Sequence, residues 1–232
     1  MPRGAIVAFG ALKGGAGKSS LAVNVGASLA VRGLRVELVD ADEQGSALEW
    51  SRADAGEGRP GLPMRVHPLP ASEGIDERQW LDALLERAAP VEILLLDLPP
   101  QLGGVMRAAL AAAELVVVPV TPSGVDLAST ARVLDLVREA REIRGDGRPR
   151  CLLVPSRVDR RTAAGREIEA SLHGFGEPVG PAISQRSAHV DAFGAGAWIG
   201  QFAPRSAAHV EIETLVSLIR KVVSRETKTP RS

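Results

Sequence analysis

The chain has one cysteine, no tyrosine, and aromatic residues at only 3% of its 232 positions. A lone cysteine, Cys151, cannot build a disulfide framework within the chain or any multi-cysteine metal or cluster site. It sits in Cys151-Leu152-Leu153-Val154, the setting of a buried, inert strand thiol. So few aromatics leave little from which to build base-stacking platforms for single-stranded nucleic acid. Net charge is absent too. The 28 Lys and Arg balance 28 Asp and Glu, so any nucleic-acid contact has to come from a local patch. No apolar run reaches the roughly 18 residues of a membrane span. The opening Met1-Pro2-Arg3-Gly4 lacks the basic-then-apolar layout of a signal peptide, so a cytoplasmic protein is expected.

What the chain does have is strand-like and helix-like segments in alternation from end to end. Apolar strands are expected at Ala5–Phe9, Arg35–Val39, Met64–Val66, Val91–Asp97, Leu115–Pro119 and Cys151–Val154. Between them run helical periodicities, among them Lys18 to Arg32, stopped by Gly33, and the set Trp80, Leu81, Leu84, Leu85 and Ala88. A final helix over Val210–Ser224 presents Ile212, Leu215, Val216, Ile219 and Val222. Residues 54–63 read as a surface loop, and the Gly/Ala/Pro-rich stretch from Gly174 to Ala208 has no clear period. Val91–Leu96 is apolar on both faces, as a central parallel strand should be. The fold class is therefore α/β, a mostly parallel twisted sheet with helices on both faces. With no repeat and no linker, residues 1–232 read as one domain, with 226–232 expected as a disordered tail.

The run Lys13-Gly14-Gly15-Ala16-Gly17-Lys18-Ser19-Ser20 lies between the first strand and the first helix. Glycines let successive backbone N–H groups curl round one anion, and the helix N-terminus adds its dipole, so this is a phosphate-binding loop. In such a loop Lys18 reaches the β- and γ-phosphates, and the Ser19 hydroxyl ligates Mg²⁺. A strict Walker A pattern wants Gly five residues before Gly17; Leu12 stands there instead, and a second lysine, Lys13, follows it. Three carboxylates end apolar strands that should lie beside this loop: Asp40, Asp42 and, in the Walker B position, Asp97. In an open parallel sheet the C-terminal strand ends face one ligand crevice, which brings all of these together.

Lys13 to Ser19 resembles the deviant Walker A motif of the ParA/MinD family of P-loop ATPases. Asp40-Ala41-Asp42-Glu43-Gln44 resembles that family's Asp-x-Asp-Pro-Gln switch, Asp97-Leu98-Pro99-Pro100 its Walker B with switch II, and Pro119 to Ser123 its adenine-side loop. Ile183-Ser184-Gln185-Arg186 and the last helix are similar to the small ParF-like ParA partition proteins. The resemblance implies a slow, partner-stimulated ATPase using ATP and Mg²⁺. Lys13 would cross an ATP-dependent homodimer to the other subunit's phosphates, acting in trans as an arginine finger does. Gly14, Gly15, Ala16, Gly17, Lys18, Ser19 and Ser20 would hold the phosphates in cis. Ser19, Asp40 and Asp97 would surround the metal, and Asp42 would orient the attacking water. Pro122, with Ser156 or Arg157, would frame the adenine. Two departures stand out: Glu43 replaces the family's usual Pro, and Ala11 stands where Asn or Ser is common.

The same resemblance implies non-specific DNA binding by the ATP dimer, nucleoid association, and a ParB-like or adaptor protein that stimulates hydrolysis. Arg205, Arg220, Lys221 and Arg225 are the candidate DNA contacts, with a solvated helix face and tail as the open alternative. Because the chain opens on its first strand, no helix-turn-helix domain is expected before it. A MinD-like membrane-associated ATPase would need the last helix's apolar stripe exposed. A carboxylate-activating enzyme of the same fold would need a polar substrate cluster after switch II, where Leu98–Ala113 is mostly Leu, Gly and Ala. The lone cysteine excludes the nitrogenase-reductase branch.

Overall fold

β-Branched and leucine-rich runs become the central strands here because each alternates its side chains between two buried faces. The computed structural model describes residues 4–53, 61–71 and 74–226. Its strands are β1 (Ala5–Phe9), β2 (Val36–Asp40), β3 (Arg65–Pro68), β4 (Ile93–Asp97), β5 (Leu115–Val120) and β6 (Arg150–Pro155). They form one six-stranded sheet in the order β3-β2-β4-β1-β5-β6, with every neighbouring pair parallel. The helices are α1 (Lys18–Ala30), α2 (Ser46–Arg52), α3 (Glu77–Ala88), α4 (Gly104–Ala112), α5 (Gly124–Arg144), α6 (Ala163–His173), α7 (Ser187–Gly194), α8 (Ile199–Phe202) and α9 (Ala207–Glu226).

Alternate residues of every strand but the edge strand β3 feed two separate cores. Ile6, Ala8, Leu94, Leu96, Val116 and Val118 face one side, against Trp80, Leu84, Met106, Leu110, Val137 and Ile168 of α3 to α6. Val7, Phe9, Leu38, Leu95, Val117 and Leu152 face the other, against α1, α2, α8 and α9. The sheet is thus covered on both faces, the architecture that the alternation of periodicities predicts. The apolar stripe of α9 is spent on this second core, where Ile212, Leu215, Val216 and Ile219 are fully buried against α1.

Three segments differ from the sequence reading or extend it. α2 is seven residues long with only Ala47 and Trp50 buried, too short to show a period. In the stretch without a period, α7 and α8 appear as two short helices around Gly196, which has φ +60° and lies against the Ala53 backbone. Of the loop expected at 54–63, residues 54–60 lie outside the described residues, as do 227–232 of the expected tail.

Candidate functional site

The loop after β1 is held open by backbone geometry. Gly15 (φ 80°) and Gly17 (φ 96°) are both left-handed, the region where side chains other than glycine are strained. Gly17 is the N-cap of α1 and offers no side-chain cap, so the first-turn N–H groups of the helix have no side-chain acceptor. A Cβ on Gly17 would sit 2.9 Å from the Ser156 hydroxyl oxygen. Ser156 is itself buried at the end of β6 and donates to the Ala16 carbonyl at 2.7 Å, clamping the loop from below. Lys18 is only 6% exposed.

Register places the acidic residues. Asp40 of β2 lies directly beside Asp97 of β4, and Phe9, just before the loop, lies on the other side of Asp97. The two carboxylates differ in their surroundings. Asp40 accepts from the Asp42 amide at 3.2 Å through Oδ1 and from the Leu48 amide at 2.9 Å through Oδ2, so it ties the switch loop to α2. Burial raises its pKa, and those amides partly reverse the shift. Asp97 is completely buried, and among the described residues neither of its oxygens has a hydrogen-bond partner of ordinary geometry. Burial pushes its pKa up to about 7, although the nearby Ser19 hydroxyl and Lys18 ammonium favour the charged form and Asp40 opposes it. Asp42 is half-buried, and its Oδ1 accepts from the Gln44 amide at 3.0 Å.

One cavity of about 480 Å³ gathers most of the sequence-predicted residues: Gly14, Gly15, Gly17, Lys18, Ser19, Ser20, Asp42, Ser156 and Arg157. Ala16 is buried under the loop, and Asp40 and Asp97 lie at the strand ends behind it. Pro122 is not brought into this cavity. It lines a neighbouring one with Lys13, Gly14, Gly15, Asp126 and Arg157, and Gly14, Gly15, Arg157 and Gln185 serve both. Arg157 holds a left-handed backbone (φ 52°), a conformation that costs a non-glycine residue about 1 kcal/mol or more.

Lys13 does not point into solvent. Its ammonium pairs with Asp126 Oδ1 at 2.8 Å, with the Lys13 side chain 48% exposed and the Asp126 side chain 3%. Thr121 donates its hydroxyl to the other Asp126 oxygen. Burial raises the Asp126 pKa, but Lys13 and Thr121 outweigh it and hold the carboxyl below its usual range.

Sequence reasoning left three contributors unassigned. Trp50 of α2 lines the phosphate-loop cavity, donates its indole N–H to the Ala197 carbonyl at 3.1 Å and meets the Phe193 ring edge-on at 5.2 Å. With Trp so rare in the chain, a Trp close behind the switch was the available signal. Ser184 lines the same cavity and is fixed to α9, donating its amide and hydroxyl to Glu211 at 2.9 and 2.8 Å. Asp126 had only its place after the adenine-side loop to mark it.

The residues fit a nucleotide and a hard divalent cation. The uncapped, glycine-lined helix end suits phosphate oxygens. The fully buried Asp97 beside Ser19 offers oxygen donors that want a cation. Among the described residues no group of three or more His, Cys, Asp and Glu could hold a metal alone, so phosphate and water would complete the shell.

The candidate DNA contacts are dispersed. Arg205 is exposed in a left-handed turn before α9, while Arg220 and Lys221 are exposed near its far end, about 22 Å further along the helix. The Arg225 side chain lies outside the described residues. No helix among the described residues is long and apolar enough to cross a membrane.

Comparison with known proteins agrees with this geometry. A chromosome-partitioning ATPase, Soj, of Thermus thermophilus is 36% identical over 230 residues, covering 86% of this chain and 89% of that protein. The maintenance of carboxysome distribution protein A of Halothiobacillus neapolitanus is 29% identical over 170 residues, covering 72% and 73%. The solved structure of the septum site-determining protein MinD with Mg-ADP from Pyrococcus horikoshii superposes with a TM-score of 0.77 at 19% identity, covering 97% and 99%. At that identity it speaks for the fold alone. The family model described as the CobQ/CobB/MinD/ParA nucleotide binding domain matches residues 7–197, and the chain belongs to that family.

Proposed function

We propose that the chain is a cytoplasmic, one-domain ParA-type ATPase that uses ATP-dependent homodimerisation to segregate DNA or position a protein cargo. The observation that carries this reading is the pairing of an uncapped glycine-loop helix end with the fully buried carboxylate of Asp97, whose charge only Ser19 and Lys18 favour. Lys18 and the loop amides would hold the β- and γ-phosphates of ATP. Ser19 and Asp97 would hold Mg²⁺, with Asp40 nearby fixing the switch loop. Bound Mg²⁺ would offset phosphate charge as the bond to the γ-phosphorus breaks. Asp42 would orient the attacking water, and Lys13 of one protomer would reach the phosphates of the other. Arg157 would frame the adenine with Pro122 on its far side. A ParB-like or adaptor protein would stimulate hydrolysis, and Arg205, Arg220, Lys221 and Arg225 would bind DNA without sequence preference, keeping the dimer on the nucleoid. The relative named for chromosome partitioning supports a DNA cargo, and the one named for carboxysome distribution, at lower identity, a protein cargo.

Two alternatives fit less well. A membrane-associated ATPase needs a free apolar helix face, and α9 has buried its own. A carboxylate-activating enzyme needs a pocket beyond switch II that welcomes an anion, and the cavity there is lined by Glu43 and Glu77. Gel filtration with light scattering, in ATP and Mg²⁺ with Asp42→Ala to block turnover, should give a dimer; a monomer under those conditions sinks the proposal. Retention on random-sequence DNA should require ATP and fail in Arg220→Ala/Lys221→Ala. Retention that ignores nucleotide would remove the switch.

A further inference from the structure

One wall of the phosphate-loop cavity is a joint between α2 and α7. α2 follows the switch loop directly, and a single carboxylate holds both, because Asp40 accepts from the Asp42 amide through Oδ1 and from the Leu48 amide through Oδ2. The switch loop and α2 therefore move as one piece. Just beyond Leu48, Trp50 reaches out of α2 to residues 193–197. Its indole N–H donates to the Ala197 carbonyl at 3.1 Å, and its ring meets the Phe193 ring at 5.2 Å and 83°, the edge-to-face arrangement that aromatic pairs favour. The end of α2 presses on the same turn. A Cβ on Gly196 would lie 2.6 Å from the Ala53 carbonyl oxygen, and Gly196 has φ +60°, so this approach needs glycine.

α7 has little packing of its own. Of its eight residues only Ala192 is buried, while Val190 and Phe193 are exposed. The ring nitrogens of His189 are buried without a hydrogen-bond partner among the described residues, so no polar contact of that side chain holds the helix. The chain is pinned on either side of α7 instead. Before it, Glu211 of α9 accepts from the Ser184 amide and hydroxyl at 2.9 and 2.8 Å and from Arg186 at 2.8 Å. After it, the fully buried Asn24 of α1 accepts from the Ile199 amide at 2.7 Å. A short helix with so few buried contacts between two fixed points shifts at low cost, and Trp50 is the buried side chain set against it. Asp42 and Gln44 of the switch, Trp50 of α2, and His189 and Phe193 of α7 all line the one cavity.

We propose that Trp50 and Phe193 are positioning residues that make the hold of α7 on a bound nucleotide depend on the γ-phosphate. The joint presupposes the proposed ATP site and adds a sensor to it. The γ-phosphate acts on the loop that carries Asp42 and Gln44, Asp40 passes the displacement to α2, and the Trp50–Phe193 contact passes it to α7. ADP lacks the group that loads the loop. A coupling of this kind therefore appears as a change in the ratio of two affinities, ATP against ADP, and not in either one alone.

The test is isothermal titration calorimetry of the full chain in Mg²⁺ with ADP and, separately, with a non-hydrolysable ATP analogue. Every protein carries Lys13→Ala, so that assembly between copies does not enter the affinities. Phe193→Leu keeps an apolar side chain without the ring. It should weaken the ATP analogue about fivefold, the scale of one aromatic pair, and leave ADP within about twofold of the parent. Phe193→Tyr keeps the ring edge and should retain the parent ratio. Trp50→Phe, which loses the N–H to Ala197, should shift the ratio in the same direction as Phe193→Leu. The double variant should shift it by less than the two single changes combined, because both act through one contact. Val190→Ala alters an exposed residue of the same helix that lines the same cavity, and it should leave the ratio unchanged. A merely structural role weakens both ligands alike. Equal weakening of the two ligands, an unchanged ratio in Phe193→Leu, additive shifts in the double variant, or the same shift in Val190→Ala overturns the proposal. A parent chain that binds neither nucleotide defeats the ATP site as well, whereas one that binds both with a ratio indifferent to Phe193 defeats the joint alone.

Discussion

Neutralising Asp126 should strengthen ATP-dependent dimerisation while weakening the monomer. The Lys13 ammonium that is proposed to cross to a second protomer is held in cis, 2.8 Å from a carboxylate that is almost fully buried. Two unit charges about 4 Å apart interact by about 4 kcal/mol at an effective dielectric of 20. Lys13 is 48% exposed, so solvent screening and the entropy of ordering its chain reduce that to about 1 kcal/mol, near the top of the range for exposed pairs. A symmetric dimer breaks the pair twice, so the latch opposes assembly by about 2 kcal/mol. Asp126→Asn keeps the side-chain shape and an oxygen to accept from Thr121, but releases Lys13. Sedimentation equilibrium with a non-hydrolysable ATP analogue and Mg²⁺ should then show a dimer dissociation constant about 30-fold lower than that of the parent chain. The monomer should lose about 1 kcal/mol, a fall in melting temperature of about 2–4 °C for a chain of this size. The pKa of Asp126 is depressed in the folded state, so this stability is present above the unfolded carboxyl's pKa near 4 and is lost as pH falls through the lower folded value. An unchanged or weaker dimer in a folded Asp126→Asn protein would refute the latch and, with it, the idea that Lys13 has to leave Asp126 to act.

Asp97→Asn should raise the melting temperature of the nucleotide-free chain, because burial disfavours the carboxylate more than Ser19 and Lys18 favour it, a net cost over an amide of about 1–3 kcal/mol; it should at the same time abolish the extra stabilisation by Mg²⁺ with ATP, and a variant that melts lower without nucleotide would count against that net cost. Cys151, its thiol raised to about 12 by burial, should resist a colorimetric thiol reagent at pH 8 until denaturant is added, so rapid labelling of native protein would contradict its placement. Since the chain has no tyrosine and Trp50 lines the phosphate-loop cavity, nucleotide should change its tryptophan fluorescence. Trp50→Phe should remove that change while Trp80→Phe retains it, and a signal that survives Trp50→Phe would place the nucleotide elsewhere.

How far the sequence could be read depended on how many residues carried each signal. The central strands were legible because short, mostly apolar runs bounded by turns are buried, and β4, Ile93 to Leu96 with its final Asp97, is the clearest case. The phosphate loop was legible because its glycines serve a backbone geometry that a sequence displays directly, seen here as positive φ at Gly15 and Gly17. α2 was not, since about two turns around a single buried Trp give no periodicity. Nor was the fixing of Ser184 by Glu211, which joins residues 27 apart through side chains. The partner of Lys13 was hidden for the same reason. Nothing in the spacing of 13 and 126 announces a contact, and only the adjacency of β1 and β5 brings the loop after one strand to the helix after the other.

The two aspartates at the sheet's centre show why a motif alone leaves roles unassigned. Both end apolar strands, both sit beside the loop, and from sequence both are metal candidates. Once folded, Asp40 has given an oxygen each to the amides of Asp42 and Leu48, so its first effect is on the position of the switch. Asp97 has given nothing to the protein, and its charge is favoured only by Ser19 and Lys18. Burying a carboxylate in that state is unfavourable, and a fold tolerates it where a ligand supplies the missing charge. The cost in the empty chain and the affinity in the loaded one then share one origin. That makes nucleotide binding and stability two readings of the same carboxylate, with Asp40 acting on both only through the loop it anchors.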